Sequence, residues 1–310
     1  MPISVEDSTY NPAPHGVRMT KLAAALLGDL ESQDKPVLSN YDLFRIVWGF
    51  YQRRNVPYLR GDHPTRQSFR RPRDILRTLG HITLDEDYTT HWRIIAKADF
   101  SPDDLVCSVD PLCYVSHLSA MQRYGLTNRR PEALLLTQPA PPLRRKMLDT
   151  VMEMDLGQSY HELDHEDVER AKATSHPATV RGRPISFHAT KYFGSWVPLR
   201  GSFVRLATIG QTFLDMIDLP DRCGGMTHVL DVWREHATTY LQDIIEIVDT
   251  TEKQILKVRA GYVLEEFLNI SDPRIDQWAS FAQRGSSRVL DPNKPFGSSF
   301  SEKWMLSLNA

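Results

Sequence analysis

The sequence predicts an α+β fold, with an N-terminal winged helix-turn-helix followed by a larger mixed α/β C-terminal domain. Three observations carry the prediction. Apolar residues recur at helical spacing three times before residue 80, the period then changes to that of a β-hairpin, and the same stretch concentrates arginine. The division expected is a disordered tail at 1–15, a winged-helix DNA-binding domain at 16–98 and a C-terminal domain at 99–310.

The first helix is read from residues 19–30, where Leu22, Leu26, Leu27 and Leu30 form one stripe. Lys35-Pro36 breaks it. Ser39 is the expected N-cap of a second helix over 40–54, with Leu43, Ile46, Val47 and Phe50 inward. Residues 55–69, with Pro57, Gly61 and Pro64, read as a loop. A short third helix is expected from Arg71 onward, with Pro72 at its first helical position and Gly80 just past its end. On that helix Arg73 and Arg77, four apart, are expected to share the outer face. Residues 81–84 and 90–96, around the acidic Asp85-Glu86-Asp87, read as the hairpin wing.

The second domain mixes types. Helices are expected at 116–124, 143–154, 209–217, 226–236 and 238–268. Strands are expected at 132–137, 184–190, 203–207 and 303–308. The chain has 310 residues, which favours two domains. It contains no run of about 18 apolar residues, so no membrane span is expected. The polar, proline-containing start lacks the basic and apolar segments of a signal peptide, so the expected location is the cytoplasm.

Net charge is -2, but its distribution is uneven. Nine arginines fall between Arg45 and Arg77, with no lysine and only Asp62 and Asp74 as acids. The planar guanidinium suits phosphate and guanine edges, so this segment is the one expected to face nucleic acid. Cys107, Cys113 and Cys223 make no C-x-x-C pair and read as buried reduced thiols.

Chemistry-bearing patterns are few. His161-Glu162-Leu163-Asp164-His165 matches the zinc-protease pattern formally, but a charged residue occupies a middle position and Glu166-Asp167 follow. Neither a metal site nor a cofactor is therefore expected. Gly224-Gly225 reads as a tight turn before a helix, with an anion nest as the alternative. His117 between Ser116 and Ser119 suggests a hydroxyl nucleophile and a base, yet neighbours along a helix do not face each other. No catalytic residue is expected, and the chain is read as a non-enzyme.

Three stretches of the second domain resemble the AbiEi family of antitoxins. The first is Tyr114-Val115-Ser116-His117-Leu118-Ser119-Ala120-Met121-Gln122-Arg123-Tyr124-Gly125-Leu126-Thr127. The second runs from Phe203 to Gly225 and contains Thr212-Phe213-Leu214-Asp215, Pro220 and Cys223-Gly224-Gly225. The third is Leu290-Asp291-Pro292 with Trp304 and Asn309. Tyr124 stands where the family often has histidine, and Gly210-Gln211 where it has Glu-Arg. The resemblance implies a winged helix that represses its own promoter at DNA repeats, within a type IV toxin–antitoxin system of the phage-defence, abortive-infection kind. It also implies a nucleotidyltransferase-like toxin as functional partner, without a stable complex.

The expected DNA-binding residues are Arg66, Arg70, Arg71, Arg73, Arg77, Thr89, Thr90, Arg93 and Lys97. Arg73 and Arg77 are assigned to base edges. The other residues are assigned to phosphate and backbone. Two alternatives stay open: an antitoxin that contacts its toxin directly, and a winged-helix-targeted enzyme acting on nucleic acid.

Overall fold

The computed structural model describes residues 16–157, 161, 167–283 and 288–310. The expected tail at 1–15 and most of the H-E-x-x-H stretch lie outside them. The protein is a mixed α+β chain that divides into two compact units. One comprises Met1–Phe100 and Lys146–Ser175, the other Ser101–Arg145 and His176–Ala310. The sequence reading kept 146–175 in one continuous second domain. By packing this segment belongs to the first unit.

In the first unit Thr20 caps α1 (Lys21–Ser32), its hydroxyl accepting from the Ala23 amide at 3.2 Å. Ala23, Leu26 and Leu30 are the buried positions. A two-residue strand, β1 (Val37–Leu38), follows. Ser39 opens α2 (Asn40–Arg53) through a reciprocal capping box with Asp42, worth about 1 kcal/mol for such a cap. Arg54 ends α2 in the left-handed region, φ 51°.

The third helix, α3 (Arg66–Thr78), begins more than a turn before the sequence reading placed it. Thr65 and Ser68 form a capping box that outweighs the proline signal at Arg71-Pro72. Pro72 therefore sits inside the helix, buried, rather than at its first position. β2 (Ile82–Leu84) and β3 (Trp92–Ile94) pair antiparallel, and β1 adds to β3 to give the order β1-β3-β2. The core of this unit joins Leu26, Phe44, Val47, Phe69 and Leu76 with Met152, Leu156 and Val168 from the returning segment.

The second unit starts at α4 (Pro102–Val109), capped by Ser101. β4 (Tyr114–Val115), α5 (His117–Arg123) and β5 (Leu134–Pro139) follow, then α6 (Pro141–Leu156), whose residues from Lys146 belong to the first unit. Next come β6 (Thr179–Val180), β7 (Arg183–Thr190), β8 (Trp196–Pro198) and β9 (Arg205–Ala207). These strands form a six-stranded mixed sheet, order β6-β7-β5-β4-β9-β8. β5 runs parallel to β7, and β4 parallel to β9.

The helical part follows the sheet. α7 (Ile209–Asp218) leads through a 3-10 turn at Pro220–Cys223 to α8 (Met226–His236). The predicted helix over 238–268 is two helices, α9 (Leu241–Thr250) and α10 (Gln254–Tyr262), the latter running into a π turn at Val263–Phe267. α11 (Pro273–Trp278) and the hairpin of β10 (Phe300–Ser301) and β11 (Leu306–Ser307) complete the unit. Trp233, Trp278 and Trp304 are all buried in its core. The three cysteines are unbridged and buried. No described helix is long and apolar enough to cross a membrane.

Candidate nucleic-acid interface

The face of α3 is set by its inner residues. Phe69, Pro72 and Leu76 are buried, with Phe69 edge-on to Phe44 at 5.6 Å. The opposite face exposes Gln67, Arg70, Arg71, Asp74, Arg77 and Thr78. Helical geometry puts Gln67, Arg70, Arg71, Asp74 and Thr78 on one stripe. Gln67, Asp74 and Thr78 were not among the residues expected to contact DNA.

Arg73 does not share that face. Its Nη1 donates to Asn40 Oδ1 at 3.0 Å, and its Nη2 pairs with Asp74 at 2.7 Å. Its guanidinium lies 5.1 Å from the Trp92 ring centroid, and Trp92 Nε1 donates to the same Asn40 oxygen at 2.8 Å. Only 14% of the Arg73 side chain is exposed. This arginine, expected at base edges, instead ties α3 to α2 and β3 and is largely covered. Arg77 is exposed, with its guanidinium 5.9 Å from the same ring. The earlier start of α3 places Arg70 and Arg71, expected at or before the start of the helix, on its exposed face.

The remaining expected contacts divide in two. Arg70, Arg71, Thr89 and Thr90 are exposed. Arg66 pairs with the buried Glu169 at 3.4 Å, and Arg93 with Asp99 at 2.8 Å. Lys97 donates to the Glu31 carbonyl at 2.6 Å, at the end of α1. These three are held by the protein itself.

The loop between β2 and β3 is tighter than its composition suggests. Asp85 is buried, and its Oδ1 accepts the amides of Asp87 and Tyr88, both at 3.0 Å. One of the three acids of the expected tip is thus turned inward. Tyr88 and His91 are also buried, packed ring to ring at 5.6 Å.

The start of α1 adds two cations that the sequence reading missed. Arg18 and Lys21 are exposed and line, with Arg71, Tyr58 and Ile75, a cavity of about 760 Å³. Tyr58 is 89% exposed and has a left-handed backbone, φ 66°. No sequence signal joins residues 18 and 71. Only the packing of α1 on α3 does.

In the second unit the Ser116–His117 reading needs correction. Ser116 is the extended N-cap of α5, and His117 has φ 53°. The two side chains therefore do face each other, with Ser116 Oγ 2.7 Å from His117 Nδ1. Gly224 and Gly225 both have φ 91°, and a Cβ on Gly224 would meet Arg129 and His228 at 2.9 Å. Among the described residues, no group of three or more metal-ligating side chains comes together. No protein-family model matches this sequence, and no curated protein matches it either.

Proposed function

We propose that the first unit is a winged helix that binds double-stranded DNA, and that the protein is an autoregulatory transcriptional repressor of the antitoxin type. One observation carries the DNA reading. The elements run α1-β1-α2-α3-β2-β3 with a β1-β3-β2 sheet, and the exposed face of α3 presents Arg70, Arg71 and Arg77. In winged helices the helix before the wing lies in the major groove. Gln67 and Arg70, on the exposed stripe, read base edges: glutamine suits adenine, arginine suits guanine. Arg71, Arg18 and Lys21 neutralise phosphate on one flank. Arg77 does so beside the wing, and Thr89 and Thr90 follow the backbone.

The antitoxin part of the proposal rests on the resemblance of the three second-domain stretches. Their partner is a nucleotidyltransferase-like toxin whose control does not require a stable complex.

The test compares binding to the upstream promoter duplex with binding to random duplex. Arg70→Ala is expected to cost about 1–3 kcal/mol on the promoter and far less on random DNA. Arg71→Ala is expected to weaken both alike. Equal losses for the two variants on both duplexes would remove the base-reading assignment.

A further inference from the structure

The second unit holds a polar cluster that the DNA reading does not use. It is built from six parts of the chain. Ser116 and His117 come from the start of α5, Thr137 from β5, and His188 from β7. Asp215 comes from α7, Arg222 from the following 3-10 turn, and Lys253 from the junction of α9 and α10.

His117 is buried at the start of α5. Its left-handed backbone turns the imidazole back onto Ser116, whose Oγ is 2.7 Å from Nδ1. Thr137 in turn donates to Ser116 Oγ at 2.9 Å. That leaves Nε2 as the nitrogen that Ser116 does not engage. His188 stands edge-on to His117, ring centroids 5.7 Å apart. A non-glycine residue held in this region is backbone strain, and its neighbours over-determine it.

The other groups close around these rings. Arg222 donates from Nη1 and Nη2 to Ser186 on β7, at 3.2 and 3.0 Å. Its Nε is buried with no partner among the described residues. Lys253 pairs with Asp218 and lies 5.2 Å from the Tyr192 ring centroid. Asp215 is 8% exposed; Oδ1 accepts from Gln211 Nε2 at 2.6 Å, whereas Oδ2 has no partner among the described residues. Most buried polar groups in folded proteins are paired. This cluster leaves a buried donor and a buried acid unmatched, while Arg222, Lys253 and His188 are only partly covered.

Electrostatics agree with the geometry. Burial, then the charges of Arg222, His188 and Lys253, hold the His117 imidazole well below its ordinary value. Burial and Arg222 lower His188 in the same direction. Burial raises the Asp215 carboxyl to about 7. Arg222 and Lys253 stand near both imidazoles, and Lys253 pairs with Asp218.

We propose that His117, His188, Arg222 and Lys253 form a binding site for a phosphate group. Arg222 offers a planar fork suited to phosphate oxygens, and Lys253 a point charge that re-partners from Asp218 to the ligand. His117 Nε2 supplies a further donor. These residues are separate from the α3 face, so the proposal stands or falls independently of DNA binding.

The test is titration of the full chain at constant ionic strength with inorganic phosphate and, separately, with a nucleoside monophosphate. The histidine ring protons are followed by NMR, with His188→Gln used for assignment. A saturable shift of the His117 and His188 signals at about millimolar ligand or below is expected, weakened about tenfold in Arg222→Gln and in Lys253→Gln. Tighter binding of the nucleotide identifies a nucleotide ligand, and equal binding identifies phosphate alone. Either result supports the site. Should Arg222→Gln fail to fold, Lys253→Gln decides. No saturable shift with either ligand, or shifts unchanged in Lys253→Gln, would overturn the proposal.

Discussion

Arg73 and Arg70 are three residues apart on one helix and do different work. Arg73 is held by Asn40, Asp74 and the Trp92 ring, whereas Arg70 is open to solvent. Removing Arg73 strips a partner from a largely buried network. Arg73→Ala is expected to lower stability by about 1–3 kcal/mol and to weaken all DNA alike. Thermal unfolding combined with promoter and random binding checks this. An unchanged Tm with selective loss on the promoter would return Arg73 to base reading.

Asp215 makes a second residue-scale prediction. Burial raises its carboxyl from the ordinary 3.8 to about 7; the Gln211 side chain and Lys253 oppose the rise and Asp218 adds to it. Arg222, Tyr114 and Cys223 also feel its charge. The folded protein therefore holds this proton to higher pH than the unfolded chain does. The group's contribution to stability falls as pH rises from 3.8 to about 7 and is flat above that. Asp215→Asn lacks this loss, so the variant gains on the parent across that window. A Tm difference independent of pH would contradict the assignment. His117, held neutral by burial, acts in the opposite direction below its ordinary 6.5 and is present in both proteins.

At the scale of elements, much was legible. The N-cap at Ser39, the stripe of α1 and the hairpin pattern at 81–96 are local signals, and each element formed where its signal lay. The start of α3 was missed because two signals compete. Thr65-Ser68 caps and Pro72 only tolerates a helix start. β1 and β4, at two residues each, carry no period and exist through their partners. The break between α9 and α10 has no glycine or proline to announce it. The face of His117 was illegible because the left-handed turn that creates it is set by packing, not by residue type.

α10 shows what an element gains from one residue. It is buried on most sides, and Arg259 within it donates to the carbonyls of Val289 and Ile217, both at 2.9 Å. Gly261 sits against Trp304, where a Cβ would come within 2.1 Å of the indole ring. That ring is fixed, since Trp304 Nε1 donates to Glu265 Oε2 at 3.0 Å. Gly261→Ala is expected to destabilise by about 1–3 kcal/mol through overpacking, measured by urea unfolding. Smaller Trp304→Phe in the same chain should recover part of that loss. A neutral Gly261→Ala would show that the hairpin of β10 and β11 yields.

At the scale of the molecule, the domain division is where sequence reading fell short. The chain leaves the first unit at Phe100 and re-enters it over 146–175. Nothing local marks that return, because it depends on where α6 points. Its contributions are specific. Asp155 accepts from Tyr41 at 3.0 Å and pairs with Arg45 at 3.5 Å, while Glu169 pairs with Arg66. Met152, Leu156 and Val168 join the core behind α1, α2 and α3. A fragment ending at residue 100 exposes that core. It is expected to melt lower than the same unit in the full chain and to bind a hydrophobic dye. An equally stable fragment would show the return segment to be an accessory.

The central claim is that the α3 face binds DNA, and one measurement reaches it most directly. The full chain is titrated with its own upstream duplex and with a scrambled duplex, at salt from about 50 to about 200 mM. Preference for the upstream duplex and a steep fall of affinity with salt are expected. A log–log slope made shallower by about 1 is also expected when Arg71 is replaced by alanine. Equal binding to both duplexes, or a slope that Arg71→Ala leaves unchanged, would contradict that claim.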